Sequence, residues 1–121
     1  MSTPATVWRS PAAYLAAERP DAPVLFFAPA VLHASARRFL DGFPGLVSYA
    51  VKANAEVPVV LGLIGAGVHA FDVASPAEIA LIRKLDPDAA LHYHNPGEAR
   101  GEIAYALSEG VRTFSVDSTV E

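Results

Sequence analysis

Val47-Ser48-Tyr49-Ala50-Val51-Lys52-Ala53-Asn54 is a short apolar run that ends on a lysine and an asparagine. Lysine occurs only at Lys52 and Lys84, and the first falls where a buried strand would meet its loop. An amine held at such a place, partly desolvated, has its charged form disfavoured, so its pKa is expected to fall. A neutral amine is a nucleophile that condenses with an aldehyde to an imine. The plain alternative is a stem lying along apolar surface with its ammonium in water.

Other chemistry-bearing residues recur further along. Asp72 ends the run His69-Ala70-Phe71-Asp72-Val73, where an acid also serves simply to accept nearby backbone amides. Glu78 stands three residues after Ser75, the spacing of a helix capping box. His92 and His94 share one face of a strand at a spacing found in metal sites. No third ligand is placed in sequence to join them, so they read as polar strand-end residues and no metal is expected. Gly62, Gly65 and Gly67 lack the strand-then-helix setting of a phosphate loop and read as a helix end turning into a strand. Arg37-Arg38 reads as a solvated helix face, and Arg112 begins a strand, a position of stability rather than catalysis.

The elements that must hold these residues follow a beat. Ser10-Pro11 caps a helix over residues 12–18, and Val24-Leu25-Phe26-Phe27 reads as a strand closed by Pro29. Val31, Ser35 and Phe39, with Leu32 and Leu40 alongside, predict one face of a helix ending at Gly42. Strands are expected at about 46–51, 69–73, 89–93 and 112–116. The helices between them are 57–65, one opening at Ser75-Pro76-Ala77-Glu78, and one opening at Asn95-Pro96-Gly97-Glu98 and stopping at Gly110. Ser118-Thr119-Val120-Glu121 is a further capping box. Strands and helices alternating about every twenty residues mean βαβ units and a parallel sheet. A helix announced at the last residues, and a sheet with a long unpaired edge, suggest half of a barrel.

Composition narrows the function classes. The chain has 121 residues, room for one modest domain, with 52% hydrophobic and 18% charged residues. Net charge is -4 and basic residues do not cluster, so nucleic acid is not an expected partner. Cysteine is absent, which excludes disulfides and thiolate metal sites. No signal-peptide pattern opens the chain and no apolar run approaches about 20 residues, so a cytoplasmic protein without membrane spans is expected.

With those motifs in order, a resemblance emerges. Tyr49-Ala50-Val51-Lys52-Ala53-Asn54 resembles the cofactor-lysine motif of the fold-type III pyridoxal-phosphate decarboxylases, the ornithine, arginine and diaminopimelate group. Phe71-Asp72-Val73-Ala74-Ser75-Pro76-Ala77-Glu78-Ile79 is similar to that family's second signature. Asn95-Pro96 and Gly110 through Ser118 are similar to its third and fourth strand blocks, and the likeness covers about residues 24–121. It implies an α/β fold, the N-terminal half of an alanine-racemase-like (β/α)8 TIM barrel. Residues 1–29 would form an N-terminal segment whose strand belongs to a separate β-domain, and residues 30–121 a partial pyridoxal-phosphate-binding barrel ending after its fourth strand.

The resemblance further implies that Lys52 is the Schiff-base lysine binding pyridoxal 5'-phosphate, that Asp72 holds its ammonium form once released, and that Glu78 is a glutamate of the same neighbourhood. The expected reaction is decarboxylation of a small basic amino acid, most simply L-ornithine to putrescine in polyamine synthesis, with a homodimer when the chain is full length. His69-Ala70 intervene where the family often has Gly-x-Gly, and Gly97-Glu98-Ala99 replace a lysine common in ornithine-type members, which leaves the subfamily open. The family's stacking histidine, phosphate loop, pyridine-pairing acid and partner-supplied cysteine lie further along its chains, so these residues alone are expected to be inactive. Diaminopimelate decarboxylation, racemisation on the same fold, and a non-catalytic half-barrel that binds a full-length homologue are the other readings.

Overall fold

The computed structural model describes residues 6–97 and 99–120. Helices α1 (Pro11–Glu18) and α2 (Pro29–Gly42) precede β1 (Tyr49–Ala50) and a 3-10 turn at Val51–Ala53. Then follow α3 (Val57–Ala66), β2 (Ala70–Val73), α4 (Pro76–Leu85), β3 (Ala90–Tyr93), α5 (Arg100–Ser108) and β4 (Thr113–Phe114). The four strands form one parallel sheet in the order β1-β2-β3-β4. Sequential order with a helix in each crossover is the arrangement of consecutive βα units in a barrel wall, here its opening arc.

Local chemistry sets the boundaries. Ser10 caps α1 by accepting from the Ala13 amide, with Pro11 at the first turn. Ser75 accepts from the Glu78 amide at the start of α4. The α3 and α5 helices end at Gly67 (φ 109°) and Gly110 (φ 84°), left-handed positions that glycine takes without strain. At both ends the next residue's amide returns to a helix carbonyl, Val68 to Leu63 and Val111 to Ala106. Arg83 on α4 donates to the carbonyls of Glu109, Pro87 and Ala89, tying the end of α5 and the approach to β3 onto one guanidinium. Arg112 donates to the Leu107 and Val111 carbonyls, the stabilising role expected at a strand start.

The core lies between one sheet face and helices α3 to α5. Val51, Val60, Phe71, Val73, Ile79, Ile82, Tyr93, Ala106 and Val111 are fully buried there. Truncating Phe71, Ile79 or Ile82 to alanine costs about 2–5 kcal/mol. An exposed ion pair such as Arg37–Asp41 contributes about 0–1 kcal/mol, so burial decides stability.

Several expectations change. Residues 24–27 form no strand among the described residues: no ladder partner lies beside them, and Phe26 instead packs edge-on against Tyr14, itself edge-on to Trp8. On α2 the core-facing stripe is Leu32, Ala36 and Leu40, whereas Val31 and Phe39 are 65% and 66% exposed. Both stripes repeat at four-residue spacing, one with Ser35 between its apolar residues; Gly62 of α3 favours the other, because its missing side chain admits Leu32, which would lie 2.9 Å from a Cβ there. Arg37, read as solvated, also donates to the Ala66 carbonyl at the end of α3. The α5 helix begins at Arg100, not at the Asn95-Pro96 cap, since Gly97 at φ 88° turns the chain first; Glu102 then reaches back to the Ala99 amide. Glu98 and Glu121, the acids of two expected capping boxes, lie outside the described residues. No helix among the described residues is long and apolar enough to cross a membrane.

Gly67→Ala forces a side chain into the left-handed region and is expected to destabilise by about 1–3 kcal/mol. Gly65→Ala meets open space inside α3 and should stabilise by about 0.5–1 kcal/mol. Urea denaturation of both variants checks the pair; equal midpoints would contradict the assigned turn.

Candidate active site

Side chains on a strand alternate between faces, and parallel pairing sets equivalent positions side by side. Tyr49, Phe71 and Leu91 align in one row; Val73, Tyr93 and Phe114 align in another, toward the helices. Within these rows Tyr49–Phe71 and Tyr93–Phe114 are edge-to-face pairs with centroids 6.5 and 5.9 Å apart. The row between them is Ala50, Asp72, His92 and Thr113, which faces the opposite way. Chemistry is therefore confined to the face the helices do not cover.

At its centre is one carboxylate. Asp72 Oδ1 accepts a hydrogen bond from Ser48 Oγ at 2.7 Å. His92 Nδ1 and His94 Nε2 stand 3.5 and 3.6 Å from the same oxygen. His94 Nδ1 meets Ser115 Oγ at 2.6 Å, while backbone bonds from His94 to Val73 and from Ser115 to Tyr93 hold the adjoining strand ends together. Asp72 and His92 are half-buried and His94 is exposed. The sequence placed no third ligand beside the two histidines; the fold brings Asp72 to them.

A cleft of about 100 Å³ opens beside this cluster, lined by Ala50, Lys52, Asp72, Val73, Ala74 and His94. Lys52 and Asp72 thus meet at the C-terminal ends of neighbouring strands, where barrel sites are built. The strand expected to reach residue 51 stops at Ala50, and Lys52 rides the 3-10 turn beyond it. It is exposed among the described residues. Two bonds shape that turn: Tyr49 Oη donates to the Asn54 carbonyl at 3.1 Å, and Asn54 Oδ1 accepts the Glu56 amide at 3.0 Å. Glu78 accepts the Ala74 amide at 2.6 Å, which fixes backbone in the cleft wall as well as serving the start of α4. Ser48 and Ser115 were not singled out from sequence, and His92 and His94 were read there as polar strand-end residues. The signal available was the beat itself, which repeats a polar residue at 72, 92 and 113.

Burial pushes the Tyr49 phenol above its ordinary pKa of 10.0. A folded-state value above the unfolded one means this contribution to stability is complete below about pH 10 and is lost as pH climbs through the raised value. Thermal melts from pH 8 to 11 should show this alkaline loss, and Tyr49→Phe should reduce it. At pH 8 the variant should be about 0.5–1.5 kcal/mol less stable for the lost hydrogen bond. An alkaline limb identical in both proteins would contradict the shift.

Residues 30–121 match the family model described as pyridoxal-dependent decarboxylase, pyridoxal binding domain. A diaminopimelate decarboxylase of Pseudomonas fluorescens is 35% identical over 111 residues, 87% of this chain and 26% of that protein. An ornithine decarboxylase of Rattus norvegicus is 39% identical over 88 residues, 69% of this chain and 18% of that protein. Among solved structures, a lysine/ornithine decarboxylase complexed with putrescine from Vibrio vulnificus superposes with a TM-score of 0.75 at 26% identity, covering 90% of this chain and 30% of the other. The chain spans about a quarter or less of the length of these curated relatives. With the arc of parallel βα units and a lysine at its first strand end, the match over residues 30–121 shows that the chain belongs to the pyridoxal-dependent decarboxylase family, in its pyridoxal-binding domain.

Proposed function

We propose that this chain supplies the lysine end of a pyridoxal 5'-phosphate site in a decarboxylase of basic amino acids, with Lys52 as the covalent anchor. The observation that carries the reading is that Lys52 and Asp72 line one cleft at adjacent strand ends. That set fits the aldehyde end of the cofactor, an amine beside a carboxylate. The described residues of the cleft include no arginine or glycine, so the phosphate would be held by other groups. When bound, the ring supplies an electron sink for the pair left behind as an α-carboxylate departs as carbon dioxide.

The protein's own groups have distinct tasks. The Lys52 amine would anchor the cofactor at its aldehyde. The Asp72 carboxylate, oriented by the hydrogen bond from Ser48, would hold the Lys52 ammonium whenever that amine is not joined to the cofactor. Glu78 is a positioning residue, acting through the Ala74 amide it accepts. Tyr49 positions the Lys52 turn through the Asn54 carbonyl.

Asn95-Pro96 supports L-ornithine as substrate, with putrescine as product in polyamine formation. Diaminopimelate is the second reading, favoured by the longer span matched in a relative of that name. A homodimer of the whole protein, a cytoplasmic setting, and membership of residues 1–29 in a second domain complete the proposal.

Incubation with pyridoxal phosphate followed by borohydride should leave a pyridoxyl label on the Lys52 peptide in preference to Lys84, read by peptide mass spectrometry. Lys52→Ala should lose that label, and Glu78→Gln should weaken labelling while Lys52 remains its position. Equal labelling of Lys84, or undiminished labelling of the Lys52→Ala chain, would remove Lys52 from the role and leave a non-catalytic partner of a homologue as the better reading. In the whole protein, carbon dioxide release from L-ornithine should exceed that from diaminopimelate at equal concentration.

A further inference from the structure

Two imidazoles converge on one carboxylate at separations that no hydrogen bond explains. At 3.5 and 3.6 Å, His92 Nδ1 and His94 Nε2 lie too far from Asp72 Oδ1 to share a proton with it. Donor atoms held around a zinc-class ion at about 2.0–2.1 Å in a tetrahedron stand about 3.3–3.4 Å from one another. The observed separations are close to that, and the donor atoms of all three residues fall within 4.8 Å of one another. We propose that Asp72, His92 and His94 form a binding site for a divalent transition-metal cation of the zinc class.

The surroundings suit such a site. Ser115 Oγ engages His94 Nδ1 at 2.6 Å, which leaves Nε2 as the nitrogen turned to Asp72. Ser48 donates to the Asp72 carboxylate at 2.7 Å. Partners of this kind orient ligands and hold an imidazole in one tautomer. Two nitrogens and one carboxylate favour zinc, cobalt or nickel over magnesium or calcium, which prefer all-oxygen sets. The strands impose the arrangement: Asp72 and His92 are register partners, and His94 lies two residues further on the same face. Asp72 and His94 also line the cleft, so solvent or a small ligand can reach the ion's remaining position. The site does not depend on Lys52 carrying a cofactor, although both draw on the same carboxylate.

Titration of the chain with zinc chloride by calorimetry tests the proposal, with cobalt chloride as a spectroscopic probe. Expected are one equivalent of tight binding, the visible bands of a low-coordinate cobalt site, and a melting temperature raised by zinc. Loss of a supporting hydrogen bond weakens metal sites by about 10–100-fold, so Ser115→Ala should fall in that range and His92→Ala or His94→Ala should lose at least as much. His69→Ala removes an exposed histidine paired with Asp86 elsewhere and should bind as the unaltered chain does. Lys52→Ala removes a cation that competes for Asp72 and should bind zinc at least as tightly, which separates failure of this site from failure of the proposed cofactor anchor. Equal zinc affinity in the unaltered chain and in a His92→Ala/His94→Ala double variant, with both folded by circular dichroism, would overturn it.

Discussion

Everything the molecule can do chemically depends on the register of its parallel ladder. Pairing Ala50 with Asp72, Asp72 with His92, and His92 with Thr113 puts one row of short or polar side chains on one face. The rows on either side are aromatic and aliphatic and belong to the core. A slip of one residue on β2 would turn Phe71 and Val73 outward and carry Asp72 into the apolar layer, where an unpaired carboxylate costs several kcal/mol. The hydrophobic effect thereby positions a charged group it never touches. Apolar side chains choose the register, and the register carries the carboxylate to its place.

That arrangement needs anchors at the strand ends, because β1 and β4 are each two residues long. Polar groups provide them. Arg83 gathers three carbonyls from α5 and the approach to β3, Glu78 holds the Ala74 amide, and Tyr49 closes the Lys52 turn. Each is a modest interaction of about 0.5–3 kcal/mol, small beside the burial of the core. Their value lies in direction. Burial sets how stable the arc is, and these bonds set where its loops stand over the cleft.

Much of the fold was legible in the chain because its signals are local. Caps at Ser10 and Ser75, the glycines ending α3 and α5, and the beat of about twenty residues are short-range chemistry that tertiary structure had no cause to override. The late start of α5 came from the local turn at Gly97; the other differences needed a partner in space. Residues 24–27 have the composition of a strand and, among the described residues, no neighbour to complete a ladder. On α2 two stripes had the same period, and Gly62, thirty residues away from Leu32 in the chain, makes room for the one that holds Leu32. Lys52 and Asp72 were visible as candidates, but the exposure of Lys52 is a property of a turn rather than of a motif. The convergence of His92 and His94 on Asp72 required knowing that the sheet runs in sequential order.

That cluster draws Ser48, Asp72, the two histidines and Ser115 from four successive strand ends. No single hairpin or helix contains it, and no pair of neighbouring units completes it. With Ser115 included, it comes into being only when the crossover from β3 to β4 has closed, after the entropy of each loop between units has been overcome. Proximity of His94 to Ser115 is therefore a record that the β3–β4 crossover has closed, whereas Asp72 and the two histidines need only β2 and β3. A chain folded only through β3 would hold all three of those groups and lack the serine that orients one of them.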